Sequence, residues 1–147
     1  MSFADDINKF AKKAVKNSNS VVRNTLVSVG QKLVARTPVG DANFWQSTPP
    51  PGYVGGHARF NWMLSMGARV VQEIDGVDTS PGGASTIQKI TDAVPKEPGD
   101  NVFFIQNSVP YIERLEDGYS RQAPNGFLAL TALEFQNIVN EEVINLK

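Results

Sequence analysis

The chain contains no cysteine and a single histidine in 147 residues. The first absence removes disulfide staples, thiolate metal ligands and a cysteine nucleophile, and it fits a reducing compartment. The second leaves too few ligands for a structural zinc site, which takes about four nitrogen or sulfur donors. His57 sits in a Gly-Gly-His-Ala context with no Gly-x-Ser-x-Gly elbow to present a nucleophile, so it reads as a surface or turn histidine. Gly82 and Gly83 are not followed by the Lys-Ser/Thr of a phosphate-binding loop, and Asp75 and Asp78 lack the further ligands of a calcium loop. No apolar run approaches the roughly 20 residues of a membrane span. The opening MSFADDINKF carries acids and no apolar core, unlike a signal peptide. These absences predict a protein made in a cytoplasm, with no membrane segment, no metal and no cofactor.

What is present is an ordinary globular composition at the size of one domain, so residues 1–147 read as a single folded unit. The net charge of -1 is unevenly spread. Lys9, Lys12, Lys13, Lys16, Arg23, Lys32 and Arg36 against Asp5 and Asp6 give residues 1–36 a charge of +5, which leaves -6 for the remainder. A basic arm beside an acidic body suits either nucleic acid or the acidic face of a neighbouring subunit, and a solvated helix face is the simplest reading.

Apolar residues at Phe3, Ile7, Phe10, Ala14, Val21, Leu26, Val29 and Leu33 follow the helical period, predicting a long amphipathic helix over 1–36 that Thr37-Pro38 terminates. The KNSNS stretch, 16–20, is its weak point, a place to kink or split. Residues 38–56 are rich in proline and glycine and hold Phe44, Trp45 and Tyr53, which predicts a long loop whose rings pack on the domain or on a partner. Over 57–106 the pattern predicts strands with a short helix. HARFNWMLSMG alternates, with Phe60, Trp62 and Leu64 on one face; Ala68 to Ile74 and Asn101 to Gln106 read as further strands; Ala84 to Val94 reads as a short helix. Residues 107–147 read as helical, with a short helix Val109 to Glu116 capped by Ser108 and a last helix from Pro124 to Ile144. That last helix places Leu128, Ala132, Phe135, Val139 and Val143 on one stripe. The fold class is α+β, a small antiparallel sheet packed against long N- and C-terminal helices.

VPYIERLEDGYSRQAPNGF, 109–127, concentrates the candidate chemistry. Glu113 and Glu116 share a helix face and suggest an acid-base pair. Arg114 and Arg121 lie close in sequence, however, and no histidine accompanies them, so ion pairing on a helix face is the better account. Tyr111, Tyr119, Arg114 and Arg121, with Phe44, Trp45 and Tyr53 from the loop, are the residue types enriched at protein–protein hot spots. Glu116 joins them as a charge that sets specificity. For Tyr111 and Leu115 the buried side of a short helix is an equal alternative.

Four motifs in order extend this reading. They are Pro38-Val39-Gly40; then Gly56, Arg59, Asn61 and Trp62; then Asn107, Pro110, Tyr111, Leu115, Glu116 and Gly118; and last Ala123, Pro124 and Gly126. Together they resemble the tail-completion or neck proteins of tailed bacteriophages, with Asp41–Gly55 as an insert between the first two motifs. The resemblance implies a non-enzymatic virion protein that forms a ring around the DNA channel, between the head connector and the tail terminator or tube. DNA would pass through without sequence-specific binding. A tail terminator, or a DNA-binding accessory protein using the basic first helix, are the alternative readings.

Overall fold

The computed structural model describes residues 2–146; Met1 and Lys147, the ends of the expected helical ranges, lie outside them. The fold is α+β, with a two-stranded antiparallel sheet and long helices at both ends of the chain. The first helix, α1, spans Phe3–Arg36 and is about 50 Å long at 1.5 Å per residue. Its start is a reciprocal capping box: the Asp5 amide donates to the Ser2 hydroxyl at 3.2 Å, and the Ser2 amide donates to the Asp5 carboxylate at 2.9 Å.

The expected break at residues 16–20 does not occur. Ser20 turns its hydroxyl back onto the Lys16 carbonyl at 3.0 Å, and the Asn19 side chain accepts the Gly99 amide at 3.2 Å, so both polar groups are satisfied without opening the helix. The helix stops at Thr37, where Pro38 follows and the Thr37 hydroxyl closes on the Leu33 carbonyl at 2.6 Å.

The expected strand over HARFNWMLSMG divides in two. A single helical turn, α2, covers His57–Phe60, and strand β1 occupies only Met63–Met66. β1 pairs antiparallel with β2, Phe103–Gln106, in the register Met63↔Gln106 to Met66↔Phe103. The strand expected over Ala68–Ile74 is absent from the sheet. Its backbone is held by side chains instead: Asn61 accepts the Ile74 amide at 2.7 Å and donates to the Ile74 carbonyl at 3.0 Å, and Ser108 donates to the Val70 carbonyl at 3.1 Å. A side-chain amide has done the work of a neighbouring strand.

Helix α3, Ala84–Ala93, packs on α1 where Gly30 faces Ile90. A Cβ at residue 30 would lie 2.9 Å from Ile90 Cγ2, so glycine sets how closely the two helices approach. Helix α4 is shorter than expected, Ile112–Glu116; Ser108 donates to Val70, and no side chain caps the helix. Helix α5, Leu128–Ile144, begins four residues after Pro124; Pro124–Gly126 form a turn instead, closed by the Gly126 amide on the Ala123 carbonyl at 3.1 Å.

The core is Leu33, Val34, Trp62, Ile90, Ala123 and Phe127, drawn from α1, the α2–β1 junction, α3 and the approach to α5. Trp62 and Phe127 meet edge to face with centroids 5.9 Å apart, and the Trp62 indole N–H donates to the Thr37 hydroxyl at 2.7 Å.

α5 lies antiparallel along the C-terminal half of α1. Arg36 donates to Thr131 at 3.0 Å and pairs with Glu134 at 2.8 Å; Lys32 pairs with Glu134 at 3.2 Å, and Ser28 donates to Glu142 at 3.3 Å. The inward face of α5 is therefore Phe127, Thr131, Glu134, Ile138 and Glu142. The stripe expected to be buried, Leu128, Ala132, Phe135, Val139 and Val143, is offset from it by one residue, or about 100° of rotation. Leu128, Phe135 and Val143 are about half exposed, at 49 %, 50 % and 53 %. Opposite α5, α1 offers Ser28, Lys32 and Arg36, and hydrogen bonds to these decide which side of α5 turns inward.

Candidate functional site

Six of the residues expected at an interface line one open cleft of about 940 Å³: Phe44, Trp45, Tyr53, Tyr111, Tyr119 and Arg121. Two separate parts of the chain make it. The first is the loop after α1, which leaves and returns at one point: a Cβ on Gly55 would lie 1.8 Å from the Gly40 carbonyl oxygen, so residues 40–55 form a closed loop whose ends touch. Inside it Asp41 caps a one-turn 3₁₀ helix, Ala42–Phe44, accepting the Asn43 amide at 2.9 Å. Trp45 and Tyr53 pack edge to face at 4.8 Å. The loop thus folds on its own rings while leaving Phe44 72 % and Trp45 40 % exposed.

The second part is the α4–α5 connection. Its link to the first is Gln122, whose amide donates to the Val39 carbonyl at 2.8 Å and accepts the Val39 amide at 3.0 Å. One side chain so fixes the two walls relative to each other. Tyr119 stands exposed on the second wall with the Arg114 guanidinium carbon 5.1 Å from its ring centroid, a cation–π contact. Tyr111 is exposed too, while Leu115 is half buried against the core, so the two alternatives for that helix face divide between the two residues. Partial burial, with Tyr111 39 % exposed, pushes its hydroxyl above its ordinary value, and the nearby Tyr53 and Glu73 add to this.

Glu116 does not face the cleft. Its carboxylate accepts the amides of Phe127 at 2.9 Å, Leu128 at 2.8 Å and Ala129 at 2.9 Å, the free N–H groups at the start of α5. Burial alone would raise its pKa; the hydrogen bonds from Ala129, Leu128 and Phe127 outweigh that and lower it. These partners lie 11 to 13 residues downstream of Glu116, where no local capping pattern in the sequence shows them. Glu113, its suggested acid-base partner, is exposed, so the two carboxylates are divided between solvent and a helix terminus.

His57 lies at the rim of the cleft, and both ring nitrogens meet acceptors: Nδ1 the Gly76 carbonyl at 2.7 Å and Nε2 the Glu73 carboxylate at 2.6 Å. Burial lowers its pKa, but the Glu73 and Gly76 hydrogen bonds and the charges of Glu73 and Asp75 prevail and raise it, favouring an imidazolium that donates twice. That arrangement ties a loop to α2 and engages both ring nitrogens in structural hydrogen bonds.

A second buried polar node, not foreseen from the sequence, fastens α3. Asp78 is 2 % exposed and accepts the Thr86 amide at 2.9 Å, the Thr86 hydroxyl at 2.5 Å and the Ser80 amide at 2.9 Å, with the Ser80 hydroxyl also bonded to it. Burial would raise its pKa, and the bonds from Ser80 and Thr86 bring it down to about 2. The short spacing Asp78-x-Ser80 is the sequence signal that could have marked it as an Asx turn leading into a helix.

The four sequence motifs are joined through these contacts. Asn107 donates to the Ala58 carbonyl at 2.7 Å, Gln122 bonds Val39, and Glu116 holds the backbone just past Gly126. Among the described residues no three histidine, aspartate or glutamate side chains gather as a metal site, and no helix is long and apolar enough to cross a membrane. The chain matches no protein-family model, no curated protein and no solved structure.

Proposed function

We propose that this chain is a structural subunit of the neck of a tailed bacteriophage, a tail-completion protein that forms a ring around the DNA channel and joins the head connector to the tail. It has no catalytic role in this reading and acts in the virion after synthesis in the host cytoplasm. The observation that carries the proposal is the amount of large apolar surface left uncovered on a chain of this size. Phe3, Phe10, Phe44, Tyr119 and Leu133 are each more than 70 % exposed, on both terminal helices and on both walls of the cleft. Exposed apolar side chains grouped at one place, as Phe44, Trp45 and Tyr119 are around the cleft and Phe3, Ile7 and Phe10 are on one side of α1, mark interaction sites. A ring subunit needs several of them, for neighbours in the ring and for the layers above and below.

The four ordered motifs support the same reading, since their residues build turns and backbone ties that shape those surfaces. Of the two carboxylates that first suggested chemistry, Glu116 is committed to the start of α5 and Glu113 stands in solvent, while Asp78 fastens α3 and His57 bridges Gly76 and Glu73. A tail terminator, which composition does not separate from a tail-completion protein, is the nearest alternative.

Imaging and mass measurement of the purified full chain test the proposal. Closed rings with a central opening are expected, whereas a monomer at all concentrations, or an enzymatic turnover, would overturn it. The DNA-binding alternative has its own support in Lys9, Lys12, Lys13 and Lys16, all exposed on α1. Titration of a duplex at two salt concentrations separates it: tight binding with a steep salt slope would favour the accessory role over the structural one.

A further inference from the structure

The two terminal helices leave apolar stripes bare in places where one copy of the chain can cover another. On α1, Phe3, Ile7, Phe10 and Ala14 recur at spacings of four, three and four, the seam pattern of a helix packed along another helix. Phe3 is 81 %, Ile7 50 % and Phe10 71 % exposed. On a straight helix of 3.6 residues per turn, the same side farther toward the C-terminus is that of Ser28, Lys32 and Arg36, the residues that hold α5. One face of α1 is therefore occupied by a helix along its second half and is bare and apolar along its first half.

The chain's own α5 cannot cover the bare half. It runs antiparallel to α1 and ends at Ile144, just past the bond between Glu142 and Ser28. What α5 does carry is its own uncovered stripe, Leu128, Phe135 and Val143, about 100° away from the face that meets α1. From Phe3 to Ala14 the seam is about 17 Å long, and from Leu128 to Val143 the stripe is about 22 Å, at 1.5 Å per residue. In net charge the two differ in sign: α1 carries four lysines and two aspartates over residues 3–16, whereas α5 has no base, with Glu134 and Glu142 turned toward its own α1 and Glu141 exposed.

We propose that the N-terminal half of α1 packs on the exposed α5 stripe of a second copy, so that each α5 lies between its own α1 and its neighbour's. The contact continues an existing helix–helix seam from one subunit into the next. Because it joins two different surfaces, it is heterologous and generates a ring when the rotation closes. This inference rests on the reading of the chain as a self-assembling ring subunit and names the surfaces that make the contact.

The native chain lacks cysteine, so introduced thiols report without background. A Phe10→Cys/Phe135→Cys double variant should give a ladder of disulfide-linked multimers on oxidation, and neither single variant should. An Ile7→Asp/Phe10→Asp variant should need at least a tenfold higher concentration to assemble than the native chain, with unchanged helical circular dichroism because both side chains are exposed. Native assembly that survives Ile7→Asp/Phe10→Asp unchanged would overturn this contact and leave the ring reading standing. So would disulfide coupling of Phe10→Cys to itself, which would mean α1 pairs with α1. A native chain that is monomeric at every concentration would overturn both.

Discussion

Glu116 and Leu128 are joined by a 2.8 Å hydrogen bond from the Leu128 amide to the Glu116 carboxylate, and that carboxylate also takes the amides on either side of it. A helix start ordinarily borrows its cap from the residue just before it. Phe127, in that position here, has no side-chain oxygen and is instead buried in the core, 1 % exposed. The cap is supplied from α4, and the position of the last helix is thereby tied to the wall of the cleft.

Replacing Glu116 with Ala is expected to destabilise the fold by ~1–3 kcal/mol, the range for losing a helix cap and hydrogen bonds to a charged group. Its folded pKa is lowered from 4.5, so its contribution is fully present above that value and is lost as the pH falls through the lower folded value. Urea unfolding of the native chain and the Ala variant at neutral pH measures the difference. A Glu113→Ala control should change stability by less than ~0.5 kcal/mol, as expected of an exposed side chain. Equal effects for the two would show that the cap contributes nothing.

The extent of sequence legibility follows from whether the decisive contact is local. α1 was readable because its apolar period and the Thr37-Pro38 stop are local to the segment. The aromatic and arginine residues singled out in the sequence are also partly gathered by the fold, since six of them line one cleft. By contrast, Asn61 replaces a strand partner for Ile74 across 13 residues, and Gln122 reaches Val39 across 83, with no periodic trace at either end. The face of α5 was misread by one position because apolar residues were assigned inward. Ser28, Lys32 and Arg36 select Thr131, Glu134 and Glu142 instead, and the apolar side is left outside. That misassignment is physically informative: an apolar stripe gives a helix its period, but bonds from a neighbouring helix can set which side turns inward.

Asp78 should dominate the acid limb of stability. Its pKa falls from 3.8 to about 2 on folding, which corresponds to about 2 kcal/mol. The pKa is depressed, so this contribution is complete above 3.8 and disappears as the pH drops toward 2. An Asp78→Asn variant should be less stable at neutral pH and should lose less stability than the native chain between pH 5 and 2. Thermal unfolding across that range checks this, and parallel pH profiles for the two proteins would refute it.

The cleft makes the most direct claim on function. Trp45 is 40 % exposed even after packing on Tyr53, and Arg121 stands exposed on the opposite wall. Neither belongs to the core, so replacing either with Ala should leave the unfolding transition of the monomer nearly unchanged. If the cleft grips a neighbour, each loss should weaken assembly at least tenfold, the equivalent of about 1.4 kcal/mol and within the range of aromatic and arginine hot spots. Sedimentation of the two variants over a concentration series, beside a Lys96→Ala control on the exposed segment after α3, reads this directly. Unchanged assembly in both variants would remove the cleft from the interface. Weakened assembly with an intact fold would make the aromatic loop a contact surface of its own, since Trp45 and Arg121 lie outside both terminal helices.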